Sequence, residues 1–105
     1  MNERIRKILE DDSIKNGYGK IKNDEQLLEI ITDYDKIEKT LIDERRWYNL
    51  YEYVIKVGNH FLSYADGECT GDDSVRDMGI EIDLDAIYEM EEYKETVTKY
   101  KIKGV

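Results

Sequence analysis

Twelve carboxylates fall within residues 66–95, and only two bases, Arg76 and Lys94, accompany them. That stretch carries 2 − 12 = −10, while the other residues, with fourteen bases and thirteen acids, carry +1; the sum is the formal −9 of the whole chain. A surface of this sign repels nucleic-acid phosphates and attracts basic surfaces. Direct binding to DNA or RNA is therefore not expected, and a basic protein partner is. Spaced carboxylates can also stand in for a phosphate backbone, because arginine-rich grooves grip both through charge-assisted, often bidentate bonds. The candidate partner-binding acids are Asp66, Glu68, Asp72, Asp73, Asp77, Glu81, Asp83 and Asp85. Ile80, Ile82, Leu84 and Ile87 interleave with the later ones, so one side can anchor while the other projects carboxylates. The competing reading is a solvated face that keeps the protein soluble.

Other chemistries find less support. His60 and Cys69 are the single histidine and the single cysteine. A Cys–His nucleophile needs them adjacent with a third group orienting the imidazole, and a strand from 60 onward carries them apart. Asp72, Asp73 and Asp77, with Thr70 and Ser74, offer oxygen ligands, but the calcium-loop spacing fails: counting from Asp73, position six is Met78 rather than Gly. One Cys and one His rule out a zinc site. No metal and no cofactor is expected. Gly17-x-Gly19 is too short for a phosphate loop and reads as a turn. Arg45, Arg46, Trp47, Tyr48, Tyr51 and Tyr53 form an aromatic–basic cluster, with Arg45, Arg46, Trp47 and Tyr51 as its binding candidates. Such residues anchor interfaces or bind flat ligands, and they also build ordinary cores. Trp47 is expected to lock helices onto a sheet.

The elements that must position these groups follow from periodicity. Ile5, Ile8 and Leu9 share one face of a helix from Asn2 to about Glu10. Asn23 with Gln26 resembles a capping box, and Leu27, Ile30, Ile31, Tyr34, Ile37 and Leu41 then recur at three and four. That stripe predicts one helix of about twenty residues, or two shorter ones. Tyr48 to Val57 is rich in aromatic and β-branched residues, and Gly58-Asn59 is a two-residue hairpin signal. A tight turn there sets Val57 against His60, Ile55 against Leu62 and Tyr53 against Tyr64. Residues 66–79 read as a long connection. Tyr93 to Ile102 alternates with period two and reads as a third strand. The expectation is a single α+β domain over 1–105. Its N-terminal helices, within 1–44, pack on a small antiparallel sheet of about three strands within 45–105, with the acidic connection at 66–95. Exposed edges of such a sheet would allow a homodimer.

With 105 residues there is room for one core and not two. A single cysteine excludes an internal disulfide, and no apolar run approaches the roughly 20 residues of a membrane span. A cytoplasmic setting is the simplest expectation, with no membrane partner.

From Arg45 to Ile102 the chain resembles small accessory proteins of bacteriophages and prophages. The resemblance rests on Arg45-Arg46-Trp47-Tyr48, Val54-Ile55-Lys56-Val57-Gly58, Phe61, Thr70-Gly71-Asp72, Asp77-Met78-Gly79, Tyr88-Glu89-Met90-Glu91 and Thr96-Val97-Thr98-Lys99-Tyr100. Small acidic proteins of that kind include anti-CRISPR and other anti-defence inhibitors. What it implies is a setting, the phage–host conflict, rather than a mechanism; taken with the charge asymmetry, it leads to the expectation of a non-enzymatic inhibitor whose partner is a bacterial defence nuclease or CRISPR effector. The alternatives are a regulatory protein that binds another host factor, or a small-ligand module using Arg45, Arg46, Trp47 and Tyr51.

Overall fold

The computed structural model describes residues 1–71, 75–76, 79–93 and 98–103. Among them, two helices precede a four-stranded antiparallel sheet whose strands lie in chain order. Helix α1 spans Glu3–Lys15, five residues beyond the stretch its apolar spacing marks. The Asn2 side chain caps it by accepting from the Arg4 N–H at 2.8 Å. Helix α2 spans Asp24–Asp33. Asn23 accepts from the Gln26 N–H, and the Gln26 amide oxygen reaches back to the Lys22 N–H, both at 2.8 Å.

The three-and-four stripe does not continue as helix. Tyr34 turns extended, with φ −67° and ψ 143°, and strand β1 runs over Lys36–Glu44. Ile37 and Leu41 therefore lie on a strand, 55% and 46% exposed, rather than on a core-facing helix. The physical reason is a partner that no local pattern reveals: β2, Tyr48–Val57, pairs antiparallel with this segment, setting Leu41 opposite Tyr51, with a register shift at Ile37. The sheet thus reaches back into the segment expected to be helical, and it has four strands where about three were expected.

The β2–β3 hairpin has the expected register. Gly58 sits at φ +61° in the turn, β3 spans His60–Cys69, and Val57, Ile55 and Tyr53 oppose His60, Leu62 and Tyr64. A short β4, Tyr88–Met90, pairs with β3 and ends the sheet. The expected strand over 93–102 is absent from its described part: Tyr93 and Thr98–Ile102 belong to no strand, and 94–97 lie outside the described residues.

Alternation divides the sheet into two faces. Ile55, Val57, Leu62 and Tyr64 are buried with Ile5 and Leu9 of α1 and Leu27 and Ile31 of α2. Ile82 and Ile87 join the same cluster from the segment before β4. The opposite face carries Val54, Phe61, Tyr88 and Met90, and among the described residues no helix lies on it.

Removing a fully buried side chain leaves a cavity. Leu62→Ala should cost about 2–5 kcal/mol in a denaturant melt. Leu41→Ala, on the exposed strand β1, should stay within about 0.5 kcal/mol. A large loss at Leu41 would contradict the strand placement.

Candidate functional site

The acids expected to act as one face fall into three groups, two that the structure describes and one outside the described residues. The first is tied up inside the domain. Asp66, on β3, takes both guanidinium nitrogens of Arg76 at 2.8 Å and the Gly67 N–H at 2.9 Å. Its side chain is only 14% exposed. Arg76 also donates to the Ile80 carbonyl at 2.8 Å, which clips the segment after β3 back onto that strand. Bonding to Asp66 raises the arginine's already high pKa. Gly67 lets the layers close here, since a Cβ would lie 3.3 Å from both Ile80 and Tyr48.

Glu68 is likewise engaged. It accepts from the Tyr53 hydroxyl at 2.6 Å and from the Lys39 ammonium at 2.8 Å. Those two bonds, Lys39 first, hold its carboxyl below the usual carboxylate range. Burial and donation to Glu68 push the Tyr53 phenol up. Lys39 also stands over the Tyr51 ring, 4.2 Å from its centroid, and Tyr51 packs beside Tyr53 at 6.1 Å. One polar network therefore laces β1, β2 and β3 together. Lys39 carries no mark in the sequence as a site residue, and Tyr53 is marked only as a member of the aromatic–basic cluster. Their signal lies only in the register that sets Lys39 opposite Tyr53.

The second group projects outward. Glu81 and Asp83 are exposed, while Ile82 between them and Ile87 beyond are buried. Asp83 caps the short 3-10 turn Leu84–Ala86 by accepting from the Asp85 N–H at 2.9 Å. Asp85 is open to solvent on one side and lies 2.7 Å from the Met1 amino group. Buried isoleucines thus hold a ridge whose outward side chains are Glu81, Asp83 and Asp85. The third group, Asp72, Asp73 and Asp77, lies outside the described residues.

Glu89 adds a tie that the sequence pattern does not announce. It takes Arg4 at 2.6 and 3.0 Å and lies 3.3 Å from His60, joining α1 to β4 and holding its own carboxyl low. His60 and Cys69 are the two ends of β3, about 30 Å apart at the usual strand rise, too far for a nucleophile–base pair. Among the described residues no three His, Cys, Asp or Glu side chains converge as metal ligands.

Trp47 corrects an expectation. It does not lock helices to the sheet; it sits in the turn between β1 and β2, 61% exposed. Its neighbours in sequence are a strand end and a strand start, so the turn carries the side chain out of the core. Arg46 stacks on it at 4.7 Å, and Arg45 pairs with Asp43 at 2.7 Å. Tyr51, half-buried, belongs to the Lys39 network instead. The four aromatic–basic candidates are therefore split between the turn and the sheet face.

Comparison with protein-family models, with curated proteins and with solved structures finds no match for this chain.

Asp66 and Glu68 are expected to act on stability. Asp66→Ala, which strands Arg76, should cost about 1–2 kcal/mol. The Glu68 contribution is complete above its ordinary value of 4.5 and is lost as pH falls through its lower folded value. Thermal melts from neutral pH down to about pH 3 should show this loss, and Glu68→Gln should reduce it. An unchanged acid profile in Glu68→Gln would contradict the network.

Proposed function

We propose that this chain is a non-enzymatic inhibitor that binds the basic, nucleic-acid-gripping surface of a bacterial nuclease complex. In the phage–host setting that the C-terminal half resembles, a CRISPR effector is the partner of choice. The observation that carries this reading is the ridge at 81–85. Ile82 and Ile87 are buried, so Glu81 and Asp83 are exposed on a fixed backbone, with Asp85 beside them held by the Met1 amino group. Fixed carboxylates lose little entropy on meeting arginines, which is what a competitor for a phosphate groove requires. Asp66 and Glu68, occupied by Arg76, Tyr53 and Lys39, support the ridge indirectly and are not offered to the partner.

Trp47 favours a second contact in the same role. An exposed tryptophan with an arginine stacked on it has the character of an interface anchor. Its place in a turn between two long strands suits docking against a protein surface better than enclosing a small ligand.

The test uses purified protein against a panel of CRISPR effectors, reading target-DNA binding and cleavage. Inhibition should weaken as salt rises. Combined Glu81→Lys and Asp83→Lys should weaken it at least about tenfold with the fold intact by circular dichroism. Reversal of Asp72, Asp73 and Asp77 to Lys asks the same of the third group. Full inhibition by both variants would remove the acidic-face reading, and inhibition of no effector would remove the partner.

A further inference from the structure

Strand β4 is the last strand of the sheet, so one side of Tyr88–Met90 presents main-chain groups with no strand beside them among the described residues. Next to it lies a groove of about 210 Å³, floored by Val54, Phe61 and Met90 and rimmed by Glu38, Glu91 and Glu92. No helix among the described residues covers this face. Elsewhere in the molecule the segment 98–103, Thr-Lys-Tyr-Lys-Ile-Lys, stands exposed, with Tyr100 at 93% and Ile102 at 78%. Its pattern has period two: Tyr100 and Ile102 on one side, Lys99, Lys101 and Lys103 on the other.

We infer that two copies of this chain exchange these segments, each laying 98–103 antiparallel along β4 of the other as a fifth strand. The register follows from chemistry. Setting Ile102 opposite Met90 places Tyr100 opposite Glu92, so the apolar side chains lie over the groove. The same register sets Lys101 opposite Glu91 on the other face, and brings Lys103 to Glu89, whose carboxylate already takes Arg4. A slip of one residue turns the lysines onto Phe61 and Met90 and the tyrosine away from them. The arm carries only lysines as charges, and one of them, Lys101, meets Glu91, while strand addition supplies main-chain bonds to the open edge. The occupant is a second copy because the arm in this structure is exposed and pairs with no strand, and because exchange satisfies both edges under one two-fold axis. The other open edge, β1, suits pairing less. Register shifts between Lys36 and Glu38 and between Leu41 and Asp43 interrupt its ladder, which is how edges are guarded. This inference does not depend on the nuclease reading.

Sedimentation velocity and light scattering on the full chain over a concentration series test it. The expected mass is twice 12.5 kDa. Glu91→Lys alone and Lys101→Glu alone each put like charges opposite one another twice per dimer and should weaken it about tenfold. Mixing the two variants restores an opposite pair at both contacts, so the mixture should regain the wild-type affinity. Ile102→Asp, at an exposed position that leaves the fold intact, should give a monomer. A wild-type monomer at all concentrations would overturn the exchange in favour of an arm folding back on its own chain. A dimer indifferent to Ile102→Asp, or no recovery on mixing, would also overturn it.

Discussion

Ile55 and Leu62 face each other across the β2–β3 hairpin, and both are completely buried. Everything else in the core is arranged on that pair. Helix α1 brings Leu9, helix α2 brings Leu27 and Ile31, and the segment before β4 brings Ile82 and Ile87. Each such side chain contributes on the order of 1.5–3 kcal/mol by leaving water. Without this shared cover the two short helices would not hold, since isolated helices under about 12–15 residues are marginal in water.

The same constraint shapes the charge. A chain with so many acids must either expose its carboxylates or pair them. Both happen. Asp66, Glu68 and Glu89 sit on strands and meet Arg76, Lys39 and Arg4, which come from other parts of the chain. Glu81 and Asp83 sit on an irregular segment pinned from below, and they stay outside. Pairing inside the sheet therefore leaves a shorter acidic surface than the raw charge implies. That surface is also better fixed, because buried isoleucines hold its backbone.

Several features are legible in the residues alone. The Gly58-Asn59 turn sets the β2–β3 register because both flanking runs alternate and the turn admits two residues only. Asn2 and Asn23 announce both helix starts, because a side-chain acceptor is needed where helical N–H groups lack one. The interleaved Ile82 and Ile87 announce a held acidic segment. Three things are not legible. Ile37 and Leu41 match a helix period by spacing alone, and only the offered edge of β2 turns them into a strand. Trp47 looks like core because large aromatics usually are, and nothing local says that its turn points into solvent. Lys39 looks unexceptional until the sheet brings it to Glu68.

The sequence by itself determined the local decisions: where helices begin, how the central hairpin turns, and that negative charge is concentrated in 66–95. Each rests on neighbours a few residues apart, where backbone conformation and side-chain type suffice. Only the tertiary structure decided which carboxylates remain available. Arg76 reaches Asp66 across ten residues, Lys39 reaches Glu68 across twenty-nine, and Arg4 reaches Glu89 across eighty-five. Those pairings depend on strand order and register. These are set by burying one apolar face, a global quantity that no short window of sequence contains.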